Sequence, residues 1–108
     1  MPRRILRVTK EDIVESRIPV LRAIRTGQER SYVCPVARCF RRYGYERAHV
    51  GSSVVSLDPS HWSYLPWWVC VWIALYDMAV ITGLSFLTPG RITFTMDLPS
   101  LEDIYLGD

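Results

Sequence analysis

Apolar and polar positions alternate in two different periods along this chain, and the changes of period divide it into elements. Ile5-Leu6-Arg7-Val8-Thr9 reads as a short strand, and Thr9 with Asp12 three residues on has the form of a capping box that starts a helical turn at KEDIVES. Pro19 suits the first turn of a second short helix, VLRAIR, which Gly27 would stop. In CPVARCFRRYG, Pro35 suits a helix start and Gly44 its end, while Val36, Cys39, Phe40 and Tyr43 fall at i, i+3, i+4 and i+7 on one core-facing stripe. YERAHV and SVVSL then flank Gly51-Ser52 as a β-hairpin. Near the end, Ile92, Phe94 and Met96 alternate with Thr93 and Thr95, a strand with one buried face. The tail DLPSLEDIYLGD is acidic, with spaced Leu, Ile and Tyr that need a groove to become ordered.

Between the hairpin and the last strand lies LPWWVCVWIALYDMAVITGLSFL, from Leu65 to Leu87, with Asp77 as its one charge. As a continuous helix the 21 residues from Trp67 to Leu87 would reach about 32 Å, enough for a bilayer core. The nine Val, Ile, Leu and Phe residues of that window favour insertion by about 4 kcal/mol in sum, and Asp77 at its midpoint cancels most of that. The β-branched Val80, Ile81 and Thr82 followed by Gly83 favour an end near Ala79, so the expected element is a helix over 65–79 that does not span a membrane. Val69, Trp72, Ile73 and Tyr76 form its core stripe. Trp67, Val71, Ala74 and Met78, spaced 4, 3 and 4 apart, form a second stripe that one small sheet cannot also bury. That stripe is the candidate protein interface, with a second copy or a target, unless residues 16–30 fold over it through Ile18, Val20, Leu21 and Ile24.

Length and composition fit one domain: 108 residues, 49 % hydrophobic. Residues 1–97 make up that domain and 98–108 its acidic tail. The fold class is α+β, a small antiparallel sheet with two principal helices on one face, in the order strand, helix, hairpin, helix, strand. Net charge is +2, yet residues 1–50 carry twelve Arg or Lys against five acids, and residues 51–108 carry Arg91 against six. A basic half suggests an anionic partner, unless the charges interleave once folded. Arg38, Arg41, Arg42, Tyr45 and Arg47 are the candidate patch for nucleic acid or an acidic partner, since Arg pairs with phosphate and Tyr offers a stacking face.

Chemistry is sparse. Cys34, Cys39 and Cys70 form no CxxC pair, and their odd number suggests a reducing, cytoplasmic setting. No secretion signal is visible. A thiol nucleophile could be assembled on paper from Cys34 or Cys39, His49 or His61, and Asp58, but nothing local supports it. There is no phosphate-binding Gly loop, no GxSxG and no ligand spacing for a metal, so no catalytic, cofactor or metal site is expected.

The order VTKEDI, CPVARCFRRYG, VGSSVVSL, LPWWVCVWIALYD and ITFTM resembles a loose group of short proteins encoded in phages and prophages. Residues 16–30 would be an insertion in that group, and Trp67, Cys70, Ala74 and Met78 stand where its members tend to be polar or charged. The resemblance implies a small α+β domain from a mobile element and no particular activity; the functional expectation is non-catalytic docking on a host or competing-element protein complex. An inhibitor of a nucleic-acid-targeting defence complex, of anti-CRISPR type, is the expectation it supports. Two other readings stay open: a small nucleic-acid-binding protein using the arginine patch, and a membrane-associated protein using residues 67–87.

Overall fold

A computed structural model describes residues 3–101. The chain runs β1 (Arg3–Val8), α1 (Lys10–Thr26), α2 (Pro35–Arg42), β2 (His49–Val50), β3 (Val54–Asp58), β4 (His61–Tyr64), α3 (Trp67–Thr82), a 3-10 turn (Ser85–Leu87) and β5 (Ile92–Asp97). This is a compact α+β domain with antiparallel sheets, as the sequence predicts, but the strands divide into two sheets. β1 pairs with β5 from Arg3↔Asp97 to Val8↔Ile92, and β2, β3 and β4 form a three-stranded meander.

The Thr9 capping box forms: the Thr9 side chain accepts from the Asp12 N–H at 3.2 Å, and the Asp12 carboxylate accepts from the Thr9 N–H at 3.0 Å. The helix it starts does not stop at Pro19. α1 continues to Thr26 and ends on Gly27, whose φ of 72° is the left-handed conformation that glycine adopts without strain. Pro19 removes one helical hydrogen bond, but α1 packs against both α2 and α3, burying Asp12, Ser16, Val20 and Ala23 along one side. Residues 16–26 are thus the second half of a packed helix.

α2 starts where Pro35 places it, with the Cys34 sulfur accepting from the Ala37 N–H at 3.4 Å, and its Val36, Cys39 and Phe40 are fully buried. The hairpin turn sits one residue later than expected, with Gly51 N–H bonded to the Val54 carbonyl and Ser52-Ser53 at the tip. β4 was not expected. Asp58 creates it by accepting from the Ser60 and His61 N–H groups at 2.7 and 2.8 Å and from the His61 ring, which reverses the chain at Asp58-Pro59. Beyond β5, Leu98 and Pro99 are buried, and Tyr45 donates to the Pro99 carbonyl at 2.9 Å, so these first residues of the expected tail belong to the domain. The rest of the tail, 102–108, lies outside the described residues.

α3 begins after Pro66 and runs three residues past the expected end, since only Gly83, at φ 74°, terminates it. Its inner stripe is as expected: Val69, Trp72, Ile73 and Tyr76 are buried together with Phe40, Phe94 and Leu6. Three side chains of this stripe and its flank fix the helix to its surroundings. Tyr76 donates to the Ile13 carbonyl of α1 at 2.7 Å, Trp72 donates to the Gly90 carbonyl at 2.8 Å, and Asp77 pairs with Arg30 at 3.0 Å. Among the described residues, no helix is long and apolar enough to cross a membrane.

Candidate functional site

The two surfaces singled out in the sequence meet different fates. The arginines lie on the outside of α2 and in the segment after it; Arg38 and Arg42 are matched by carboxylates of the chain, and Arg41 is held by Tyr32. Arg42 holds both oxygens of the Asp12 carboxylate, at 2.7 and 3.2 Å, and also donates to the Arg7 carbonyl at 2.6 Å. Arg38 approaches Asp12 at 3.4 Å and Glu11 at 3.6 Å. Arg41 lies 4.3 Å from the centre of the Tyr32 ring and donates to the Tyr32 carbonyl. Arg47 lines a cleft of about 650 Å³ that also contains Glu29, Tyr32, His49 and Asp58. Positive and negative groups therefore interleave on this side, where the carboxylates of Glu11, Asp12, Glu29 and Asp58 lie among the four guanidiniums. Tyr45 is fully buried, edge-on to Phe40 at 6.2 Å, and cannot stack on a base. It leaves the patch because the helix end turns its ring inward.

Asp12 is the hub of that arrangement. Burial alone would raise its carboxyl, but the Arg42 guanidinium and the Thr9 N–H carry it below the usual carboxylate range. Asp77 shows the opposite balance: burial raises it, and Arg30 recovers only part of the cost of the charge.

Cys34 and Cys39 are buried thiols. Burial pushes Cys34 up to about 11 and Cys39 up to about 12, so both are neutral thiols inside the core. His61 is held by Asp58 at 2.9 Å through Nδ1, a pair that orders the β3–β4 turn, and Cys34 and Cys39 are both buried away from it. Among the described residues no group of His, Cys, Asp or Glu is arranged to hold a metal ion.

The outer face of α3 is different. Trp67 is 76 % exposed, Val71 49 % and Met78 56 %, and Ala74 is exposed between them. α1 flanks α3 but does not cover this stripe: of the residues expected to do so, Val20 is buried in the core and Ile18 points to solvent. Because the helix continues to Thr82, the face is wider than four residues. Trp68, Leu75 and Ile81 join it, and at 100° per residue the exposed side spans an arc of about 140° with Thr82 as its one polar member. Beyond Gly83, Leu84, Phe86 and Leu87 are also exposed. Trp68 and Leu75 lie within the helix expected from the sequence, whereas Ile81 joins the face only because the helix runs past Ala79. Trp62 and Tyr64 add a second exposed aromatic pair on β4, with ring centres 5.3 Å apart.

A helix apolar all round is normally buried on every side, and isolated domains seldom expose so continuous an apolar surface. No family model matches this chain, and no curated protein or solved structure is similar to it.

Proposed function

We propose that this chain is a non-catalytic protein-binding domain that works by presenting the outer face of α3 to another protein surface. The observation that carries the reading is the uncharged arc around Trp67, Val71, Ala74 and Met78, on a helix whose opposite side is fixed in the core by Trp72, Tyr76 and Asp77. A protein surface suits it better than a bilayer surface. Helices that lie on membranes carry Lys or Arg along their flanks, and residues 48–90 contain neither. The interleaved charges around Asp12 likewise favour a protein partner over a nucleic acid.

The resemblance to phage-encoded proteins supports one class of partner, a host nucleic-acid-targeting defence complex that the domain would occupy and inhibit. The test compares the parent with a variant carrying Val71→Glu and Met78→Glu, each used to capture proteins from host lysate after nuclease treatment. At concentrations where neither self-associates both should melt at the same temperature, and only the parent should associate with protein, itself included. Equal association by the two proteins would place the binding surface elsewhere.

A further inference from the structure

The exposed stripe on α3 reads the same in both directions. From Trp67 to Met78 the steps are 4, 3 and 4, and from Met78 back to Trp67 they are again 4, 3 and 4. We infer that the occupant of this face is a second copy of the chain, its α3 laid antiparallel across a twofold axis that passes between Val71 and Ala74. The inference rests on the proposed protein-binding role of this face and names its partner.

Self-pairing of a helix about a twofold axis requires each residue i to meet j on the copy while j meets i. A stripe with palindromic spacing satisfies that without any shift of register: Val71 meets the partner's Ala74, and Trp67 meets the partner's Met78. Alternating steps of 4 and 3 are also the seam of a coiled coil, in which such helices pack 8–10 Å apart at a shallow angle. Sizes complement each other at both layers. Ala74 leaves the axis open for Val71, and a thioether against an indole is a favourable contact at the outer layer. Trp67 and Met78 are the more exposed members, at 76 % and 56 %, and stand at opposite ends of the stripe, where an antiparallel copy brings them together.

Area and charge agree with this occupant. With large aromatics offering roughly 150–250 Å² each, the exposed arc provides on the order of 800 Å² per copy, the share a standard-size interface takes from each partner. No charged side chain lies on the arc, so its counterpart must be an uncharged apolar surface about one 16-residue helix long. The chain itself presents such a surface. An antiparallel pair also leaves the cleft lined by Arg47 and His49 out of the contact, since none of its lining residues belongs to α3.

The test uses the full chain with Cys70→Ser, which leaves the buried Cys34 and Cys39 as its native thiols. Val71→Cys and Ala74→Cys are made as separate variants and oxidised mildly, each alone and mixed. The expected result is a cross-linked dimer from the mixture and little from either variant alone, because residue 71 of one copy faces residue 74 of the other. Efficient cross-linking of Val71→Cys with itself would overturn the antiparallel register. In parallel, the mass of the unmodified protein in solution should be that of a dimer, and Met78→Glu should raise its dissociation constant about 30-fold or more. A parent that stays monomeric up to high micromolar concentration overturns the second copy as occupant. If that monomer still captures another protein through a Met78-dependent surface, the proposed function stands without the dimer. If Met78→Glu lowers the melting temperature sharply with no change of mass, the stripe is core and both fall.

Discussion

α2 and α3 are both packed against the same core, and they treat their outer faces in opposite ways. α2 separates its residues cleanly: Val36, Cys39 and Phe40 point in, while Arg38, Arg41 and Arg42 point out and are met by Asp12, Glu11 and the Tyr32 ring of their own chain. α3 makes no such separation: Trp68 at the edge of its outside meets the Phe94 ring edge-on at 6.2 Å, while Trp67, Val71 and Met78 are about half exposed or more. The comparison teaches that exposure is not availability. The charged face looks like a docking surface in the sequence, yet its bonds are already made at home, whereas the apolar face remains in contact with water.

The largest expected effect lies under α2. Phe40→Ala should lower stability by about 3–5 kcal/mol, measured by denaturant unfolding, because a fully buried ring between Tyr45 and Phe94 leaves a cavity the surrounding helices cannot close. Asp12→Ala comes next, at about 2–3 kcal/mol, since it removes the carboxylate that accepts from the Thr9 N–H in the capping box and leaves two partly exposed guanidiniums without their shared partner. A loss below about 0.5 kcal/mol would mean that the outer face of α2 is not tied to the fold, and the contrast with α3 would dissolve.

Smaller effects appear in the pH dependence, with two opposite signs. Asp12 has a lowered folded pKa, so its contribution is present above the ordinary carboxylate value of about 3.9 and is lost as pH falls through the folded value. Asp77 has a raised one, so its contribution is complete below that ordinary value and declines as pH rises through the folded value. Melting curves should therefore show Asp12→Asn losing the acid limb, and Asp77→Asn flattening the decline above it. The smallest effect is on the outside of α3. Val71→Glu and Met78→Glu together should move the stability of the isolated monomer by no more than about 0.5 kcal/mol, read from unfolding at concentrations where association is absent.

Local signals were legible in the sequence and long-range ones were not. The Thr9–Asp12 box, the Pro35 start and the inner stripe of α3 each need only neighbours within one or two turns, and all three are found, while the β-branched run before Gly83 did not end the helix at Ala79. Pro19 misled because the packing that keeps α1 helical through it comes from α2 and α3. β4 was hidden because its aromatic residues, Trp62 and Tyr64, face outward, so its polarity pattern runs against the usual rule. The arginine patch failed for a similar reason: Asp12 is 30 residues from Arg42 in the chain, and nothing near RRYGYER announces that pairing. The outer stripe of α3 was readable because spacing alone places it, while its true width depended on where the helix ends.

The pairing of β1 with β5 sets an order of events during synthesis. Arg3 meets Asp97 across 94 residues, so β1 leaves the ribosome with no strand to join and waits for nearly the whole domain. At roughly 5–20 residues per second that wait lasts about 5–20 s. α3 emerges before β5, and during the interval its inner side has α1 and α2 to pack on but not Phe94 of β5. With a second copy as the occupant proposed above, nascent chains on neighbouring ribosomes would carry the same uncharged outer face at the same stage, and copies from one message would pair before a search through the cell.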